Sequence, residues 1–508
     1  MNAPALPLLV AVPVIGAALA ALVPWRPLHR ILLFLAPLGT GLAGIWLLRE
    51  HLGGTPALAA QVGGFIPGVA IPFVSDGISA VMLTVTGLTT AVVLWFGART
   101  GEVRLPFFTP LVLVLIAGVN GVLLTGDIFN LFVFIEVMLL PSYALLAMTG
   151  TWRRLGVGRL FLVVNLVTSS VFLIGVALLY AAAGQVNIAV LSGAAVDRPD
   201  VALGAAVVLL ALVIKAGAVP VHGWLPRAYP GTSAMVMALF AGLHSKAALY
   251  AIYRIYSVVF AGEQQWLPVL LTVALLSIAV GSLASFGGNT IRAVIAFQMV
   301  AGVGYILLGV ALSTAAALSA GLFYLVHHVL TVGALLLASG AVERTYGTAH
   351  LVRLSNLLRR ERALAWIVGL ALLSLVGFPP SSGFWGKIAL VMAAAQAAPV
   401  TAGIVITVIV LASIVSLIAL QRLWHEVFWG PKMELYRPAD PLIHEGDPMR
   451  PVPLPDWVRI PLRDLAPAAL MLALSLAVFV LAGPLWSIAG QAVTGLVDPT
   501  GYVEAVLP

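Results

Sequence analysis

Long apolar stretches separated by short polar connections run through the chain from end to end. A helix needs about 20 mostly apolar residues to cross the hydrocarbon core of a bilayer, and fourteen stretches meet this requirement. The pattern therefore predicts an all-α polytopic membrane protein with about 14 transmembrane helices. The predicted spans, numbered in chain order, are 5–24, 31–48, 73–97, 107–124, 128–149, 160–184, 201–229, 232–260, 267–287, 291–312, 317–342, 363–396, 400–428 and 466–490.

The composition excludes water-soluble classes of protein. The 508 residues are 61% hydrophobic and only 9% charged, whereas a typical soluble domain has about 25% charged residues. A soluble enzyme, a nucleic-acid-binding protein and a disordered scaffold are therefore excluded. The chain has no cysteine, which removes disulfides, iron–sulfur clusters and thiolate zinc sites. It also lacks the glycine motifs that bind nucleotides, so no cofactor is predicted.

The basic residues predict the orientation of the spans in the bilayer. With the N-terminus placed outside, 19 of the 26 Lys and Arg residues fall in inside connections. Two fall outside, Arg49 and Arg198, and five lie within spans. Because cytoplasmic connections are enriched in Lys and Arg, this asymmetry favours both termini outside and supports the count of spans.

Two of the predicted spans contain prolines in their interior. Span 7 contains Pro220 and Pro226, and span 12 contains Pro379 and Pro380. A single proline kink is common in membrane helices, but these two spans are five apart and cross the membrane in opposite directions. Paired discontinuous helices of this kind point to inverted repeats and to the ion pathway of a transporter. We therefore expect two inverted five-helix repeats, spans 4–8 and 9–13, each with a broken fourth helix.

This repeat predicts four parts of the chain. Residues 1–106 form spans 1–3, residues 107–260 the first repeat, and residues 261–430 the second repeat. Residues 431–508 form an inside connection and span 14. Side-chain correspondence between the repeats is weak, because span 5 contains Glu136 where span 10 offers only a glutamine.

Four charged residues lie deep inside predicted spans: Glu136, Lys215, Lys246 and Lys387. A charge at the centre of a bilayer costs about 2.5–3.5 kcal/mol on insertion scales. Pairing or hydration must offset much of this cost, so each residue alone is compatible with a structural ion pair. As a set they indicate a proton path, since burial and neighbouring charges shift the pKa values of carboxylates and amines.

Three histidines are candidates to extend this path, because histidine titrates near neutral pH. His244 is two residues from Lys246, about 200° around the helix, and His327 and His328 are adjacent in span 11. The alternative for each is a hydrogen-bonded core residue. Asp76 and Asp127 are expected at the outer ends of spans, where solvation makes a carboxylate inexpensive.

Three stretches resemble a known family: GVLLTGDIFNLFVFIEVMLLPSYALLAM (121–148), the block from KAGAVPVHGWLPRAYPG to LYAIYRI (215–255), and GFPPSSGFWGK (377–387). They are similar to the antiporter-like membrane subunits of respiratory complex I and of Mrp-type multisubunit sodium/proton antiporters. The Mrp-type members without the long lateral helix and extra C-terminal spans of the largest relatives are the most similar. The resemblance implies fourteen helices with two inverted repeats. It also implies assembly with other Mrp-type antiporter subunits in the bacterial cytoplasmic membrane.

Residue by residue, the resemblance assigns the family's key glutamate to Glu136 and its broken-helix lysine to Lys215. The central lysine corresponds to Lys246 and the terminal lysine to Lys387. Many relatives also have a lysine in span 11 shortly after a histidine, where this chain has Thr331 and Val332. We therefore expect His327 or His328 to replace that lysine.

The favoured hypothesis is a proton-translocating, non-enzymatic subunit of a cation/proton antiporter. Protons would move through half-channels joined by a mid-membrane axis of Glu136, Lys215, Lys246, the span 11 histidines and Lys387. The coupled cation is expected to be sodium, bound in another subunit because no carboxylate cluster suits it here. The first alternative is a pump subunit of a complex I-type or membrane-hydrogenase redox complex. The second is an assembly subunit with inactive channels.

Overall fold

The computed structural model describes residues 3–148, 152–436 and 451–508. In this part of the chain, eleven helices are long and apolar enough to cross a membrane. Shorter apolar helices form the three remaining crossings, spans 1, 4 and 12. The predicted polytopic helical fold is therefore confirmed.

The bounds of the helices agree with most predicted spans. Spans 1–6 are the helices Leu8–Leu22, Arg26–Leu52, Gly77–Thr100, Phe108–Leu124, Ile128–Ala147 and Trp152–Ala183. Span 7 consists of Pro199–Ala216 and Trp224–Ala228, and span 12 of Arg362–Val376 and Ser382–Ala394. Spans 8–11, 13 and 14 are Ala234–Val259, Leu267–Ala284, Ile291–Leu312, Ala315–Tyr346, Pro399–Phe428 and Leu462–Val480. The short connecting helices are Ala194–Asp197, Leu357–Arg360, Ala482–Ala492, Thr494–Val497 and Thr500–Val506.

Glycine and proline together break spans 7 and 12. The first half of each span ends at a glycine with positive φ, Gly217 at 82° and Gly377 at 93°. This left-handed conformation is a common way to stop a helix, and glycine adopts it without a steric penalty. Pro220 and Pro380 follow and supply no backbone donor. Both helices are therefore interrupted where the sequence predicted.

Protein groups satisfy the backbone exposed by the break in span 7. The Val219 N–H donates to Ser277 Oγ of span 9 at 3.0 Å. The Trp224 indole Nε1–H donates to the Ile214 carbonyl at 3.0 Å, which ties the second half of the span to the first. Irregular backbone at membrane depth requires such internal partners.

A β-hairpin precedes span 3 and moves the start of that span. Strands Ala57–Val62 and Ile71–Asp76 pair antiparallel, so the helix begins at Gly77, four residues later than predicted. Asp76 ends the strand and caps the helix, with Ser79 completing a capping box. Hydropathy does not distinguish the apolar second strand from the helix that follows it.

The last predicted span is also divided. The helix Leu462–Val480 ends before a separate helix, Ala482–Ala492, where one span over 466–490 was predicted. A second two-stranded sheet pairs Leu435–Tyr436 with Val452–Pro453. Residues 437–450 of the predicted inside connection lie outside the described residues, as does residue 149 at the predicted end of span 5.

The connections alternate between two ends of the bundle, as the predicted topology requires. At one end, Gln61 of the hairpin donates to the Val506 carbonyl at 2.8 Å, next to the C-terminus. At the other end, Thr290 before span 10 forms a β-bridge with His350 after span 11. The connections predicted to lie on one side thus meet one another.

Spans 8 and 11 form the centre of the bundle. Of their most apolar stretches, 94% is buried inside the protein, against 33% for spans 2, 9 and 13. The two central helices contain Lys246 and the adjacent histidines His327 and His328. Their polar groups are therefore shielded from lipid on all sides by the chain itself.

Candidate functional site

Glu136 and Lys215 meet through a serine that the sequence pattern does not single out. Lys215 Nζ lies 3.9 Å from Glu136 Oε1. Ser169 Oγ of span 6 donates to Glu136 Oε1 and accepts a hydrogen bond from Lys215 Nζ at 3.2 Å. The lysine side chain is 5% exposed and the glutamate 25%. The ion pair thus joins spans 5, 6 and 7 within the first predicted repeat.

His244 lies next to this ion pair on the central helix. It interacts electrostatically with Lys215, and its Nε2 lies 2.9 Å from Ser142 Oγ. Because Ser142 Oγ donates its only proton to the Met138 carbonyl at 2.8 Å, it accepts from His244, which places the proton on Nε2. We call Glu136, Ser169, Lys215 and His244 the first cluster.

Lys246 is enclosed on the opposite face of the same helix. Its side chain is fully buried, and among the described residues its Nζ has no hydrogen-bond partner or carboxylate. It interacts electrostatically with His328 of span 11. A buried ammonium without a partner is energetically costly, so this position is a strong candidate for a functional rather than a structural charge.

The hydroxyl groups of the two tyrosines that follow Lys246 in span 8 do not bond to its ammonium group. Tyr250 donates to the Leu123 carbonyl of span 4 at 2.9 Å. Tyr253 donates to the Ile306 carbonyl of span 10 at 2.7 Å. Both hydroxyls therefore tie the central helix to its neighbours.

His327 is one member of a ring of side-chain hydrogen bonds at the break in span 12. Its Nδ1 lies 2.8 Å from Ser382 Oγ and 3.2 Å from Thr331 Oγ1. Ser475 of span 14 closes the ring, 2.9 Å from both Ser382 and Thr331. Ser374 lies outside it, 3.4 Å from the same two hydroxyls. We call His327, Thr331, Ser382 and Ser475 the hydroxyl ring.

The hydroxyl ring occupies the position where relatives were expected to have a lysine. Each hydroxyl both donates and accepts a hydrogen bond, whereas His327 Nδ1 does only one of these at a time, so the three hydroxyls can reorient when Nδ1 gains or loses its proton. In the sequence, the one signal at Thr331 is that it stands where the resemblance leads one to expect a lysine. Ser382 and Ser475 gave no signal, because serines are common in membrane helices.

Lys387 lies beside the ring and binds the broken end of span 12. Its Nζ donates to the Val376 carbonyl at 2.7 Å and to Ser413 Oγ at 2.9 Å, and it lies 4.7 Å from the centroid of the Tyr305 ring. Val376 ends the first half-helix, where unpaired carbonyls make the helix end negative. The lysine also interacts electrostatically with His327.

His328 connects the centre to the second repeat. It interacts electrostatically with both Lys246 and His327, and neither ring nitrogen has a hydrogen-bond partner among the described side chains. The ring packs against Gly302 of span 10, where an added Cβ would lie 1.9 Å from Nε2. The glycine is therefore needed to make room for the imidazole.

A series of polar groups thus runs from Glu136 through the first cluster to span 8, and from Lys246 through His328 and His327 to Lys387. Among the described residues, Lys215 and His244, Lys246 and His328, and His327 and Lys387 interact only electrostatically, and no contact joins His244 to Lys246 across span 8. In span 10, the counterpart of span 5, Gln298 donates to Ser285 at 3.1 Å and to Ser416 at 3.2 Å. The second repeat therefore has a neutral amide where the first has a carboxylate.

One expectation about the outer carboxylates is wrong. Asp76 is only 2% exposed and Asp127 only 7%, so neither is solvated. Asp76 accepts a hydrogen bond of 2.6 Å from Arg254 of span 8, and the Arg254 guanidinium lies 4.6 Å from the centroid of the Tyr502 ring. Asp127 caps span 5 by accepting from the Asn130 N–H at 2.7 Å. Burial raises the pKa of the Asp127 carboxyl above its usual range, and the hydrogen bond opposes this change.

A second buried ion pair lies at the opposite end of the bundle. Arg292 Nε lies 2.6 Å from Glu343 Oε1, and Arg292 also donates to the Thr232 carbonyl before span 8. Among the described residues, no group of three or more His, Asp or Glu side chains is arranged to hold a metal ion.

The chain is similar to known membrane proteins over most of its length. The sequence profile described as NADH:quinone oxidoreductase/Mrp antiporter, TM matches residues 125–416. A Na(+)/H(+) antiporter subunit of Alkalihalophilus pseudofirmus is 30% identical over 502 residues, 97% of each chain. A chain in the structure of the Mrp complex from Dietzia sp. is 40% identical, with a TM-score of 0.94 over 100% of this chain and 99% of that chain. A chain of the archaeal membrane-bound sulfane sulfur reductase is 25% identical, with a TM-score of 0.84 over 99% and 100%.

Proposed function

Because the chain belongs to the NADH:quinone oxidoreductase/Mrp antiporter transmembrane family, we propose that it is the proton-translocating subunit of a multisubunit sodium/proton antiporter. Its similarity to the Na(+)/H(+) antiporter subunit of A. pseudofirmus and to a chain of an Mrp complex supports this proposal. As a transporter subunit it couples ion gradients and catalyses no covalent reaction.

The observation that supports proton translocation best is the series of interacting polar groups from Glu136 to Lys387. It crosses the bundle through the two most buried helices, and it contains three lysines that are at most 7% exposed, Lys215, Lys246 and Lys387. Ionisable residues inside a membrane are costly and usually functional. A structural role alone does not explain why Lys246 Nζ has no hydrogen-bond partner among the described residues.

The proposed path begins at the first cluster. Pairing with Glu136 stabilises the charged form of Lys215, and separation of the pair favours release of its proton. The proton then passes by way of His244 to Lys246 on the other face of span 8. His328 and the hydroxyl ring connect Lys246 to Lys387, with the ring in place of the expected span 11 lysine.

The proposed setting is a hetero-oligomeric complex in the bacterial cytoplasmic membrane, with the other antiporter subunits as partners. Both termini face outside in this proposal. The charge asymmetry of the connections supports that orientation, and the hairpin and the C-terminal segment contact each other at the same end of the bundle. The coupled sodium binds in another subunit.

The test is sodium-dependent proton flux in vesicles that contain the whole complex. Alanine variants of Glu136, Lys215, Lys246 and Lys387 are compared at equal complex levels. We expect each to lower the flux strongly. Lys432→Ala, at a lysine that is 70% exposed, should leave the flux unchanged. Normal flux in all four interior variants would overturn the proton path.

A redox-driven pump subunit is the second candidate. Similarity to a chain of the sulfane sulfur reductase, a respiratory membrane complex, favours it. Proton flux driven by a sodium gradient, with no electron donor present, supports the antiporter and contradicts the pump. An assembly subunit with inactive channels predicts instead that Lys246→Ala leaves transport intact.

A further inference from the structure

A groove of about 630 Å³ lies between the first half of span 12 and span 13. Its walls are almost entirely apolar and include Trp366, Leu373, Leu417 and Trp424. Trp366 is 71% exposed and Leu373 44%. These side chains are too apolar and too exposed to face water, so within the bilayer the groove opens toward the hydrocarbon.

Two arginines, Arg359 and Arg362, lie at one end of this groove. The two residues between them, Arg360 and Glu361, contact other parts of the protein. Arg360 donates to the Val458 carbonyl at 2.6 Å, and Glu361 accepts from the Tyr346 hydroxyl at 2.5 Å. Neither groove arginine has an ion pair or hydrogen bond with any described residue. The end of the groove therefore has two uncompensated positive charges.

The location of these charges matches the depth of a lipid headgroup. Arg362 is the first residue of its half-helix, where the unpaired N–H groups of the first turn also favour an anion. Trp366 follows one turn later, and tryptophan is enriched at the boundary between headgroups and acyl chains. The apolar walls continue from there toward the break at Gly377.

We propose that this groove is a binding site for one anionic phospholipid. Its phosphate contacts Arg359 and Arg362, and an acyl chain lies between spans 12 and 13. Basic pockets between membrane helices on the cytoplasmic side are suited to anionic headgroups. The two unpaired arginines favour a lipid over an apolar helix of another subunit, which would leave both charges without a partner.

Gly369 gives the groove its shape. A Cβ at this position would lie 3.1 Å from the Trp424 ring. A larger side chain would therefore displace the ring and fill the space of the acyl chain. Gly369→Leu removes the apolar part of the site while both arginines remain.

The experiment is native mass spectrometry of the purified complex, titrated with phosphatidylglycerol or with zwitterionic phosphatidylcholine. A basic residue near the headgroups contributes about 1 kcal/mol to binding of anionic lipid. The double variant Arg359→Gln/Arg362→Gln should therefore bind phosphatidylglycerol about 30-fold more weakly. Gly369→Leu should weaken the binding of phosphatidylglycerol and of phosphatidylcholine equally. Arg353→Gln, an exposed arginine that does not line the groove, should change neither.

A photoreactive amino acid in place of Leu373 identifies the occupant directly. Cross-linking to phospholipid supports the proposal. Cross-linking to another subunit, or equal affinity for the two lipids in the unmodified complex, would overturn it. Equal loss of phosphatidylglycerol binding in Arg353→Gln would also overturn it, because the effect would then come from general surface charge.

Discussion

Thr331 of span 11 and Ser475 of span 14 share a hydrogen bond of 2.9 Å. Span 14 lies outside both predicted repeats, and the two hydroxyls are 144 positions apart in the chain, with the whole of span 12 between them. This contact makes the last span part of the polar interior of the second repeat. It also places a hydroxyl where relatives were expected to have a lysine.

Thr331→Val should lower proton flux about fivefold or more, with normal assembly. Valine has nearly the shape of threonine but removes the hydroxyl from the ring, and each lost hydrogen bond is worth about 1 kcal/mol. Thr331→Ser keeps the hydroxyl and should keep most of the flux. Sodium-dependent quenching of a pH-sensitive dye in vesicles measures both variants. Equal flux in the two would show that the ring is structural only.

Ser169→Ala should lower flux by about tenfold, because hydrogen bonds to charged groups are worth about 1.5–3 kcal/mol. Among the described residues, the neighbouring Ser170 donates to the Leu166 carbonyl of its own helix and to no other group, so Ser170→Ala is the matched control. The same vesicle assay compares them, with complex levels checked by immunoblot. A similar loss in both variants would mean that Ser169 supports packing of span 6 and not the ion pair.

Lys246→Met should abolish flux while leaving the complex at least as heat-stable as the wild type. The lysine ammonium is fully buried and has no hydrogen-bond partner in the part of the chain that the structure describes, and a charge at this depth costs about 2.5–3.5 kcal/mol. Removing it relieves that cost. Retention of assembled complex after graded heating, followed by native gel, measures stability. Loss of assembly at lower temperature would indicate that Lys246 has a structural partner.

Arg254→Ala should destabilise the end of the bundle that contains the 57–76 hairpin, because it leaves Asp76 buried and unpaired. Removing one partner of a buried ion pair costs about 3–5 kcal/mol. Asp76→Asn/Arg254→Met, which removes both charges, should recover much of the lost stability. Proteolysis of the 57–76 hairpin in membranes reports the change.

The control for that prediction is the solvent-exposed pair Arg198–Asp200. Its atoms are 2.8 Å apart, and both side chains are about half exposed. Because both side chains are exposed, water screens this pair. Arg198→Ala should therefore leave hairpin proteolysis unchanged. An equal effect of both arginine variants would contradict the importance of burial at Arg254.

The order of residues along the chain is enough to predict the spans, their alternation, the two breaks and the interior charges. Each of these depends on local chemistry. Crossing a bilayer requires a stretch of apolar residues, glycine and proline stop a helix wherever they occur, and a charge in such a stretch is conspicuous. The predicted roles of Glu136, Lys215, Lys246 and Lys387 remain proposals.

Helix packing decides which of these groups meet. Ser169 lies 33 residues from Glu136 and 46 from Lys215 in the chain, so no local pattern sets their contact. The hydroxyl ring was hidden for the same reason, because single serines and threonines hardly change the hydropathy of a span. The prediction that Asp76 is solvated was wrong. Its position at the end of a span suggested exposure to water, whereas the fold buries it against Arg254. Hydropathy shows which stretches of the chain can cross the membrane. Whether a side chain in such a stretch is buried depends on the helices packed around it.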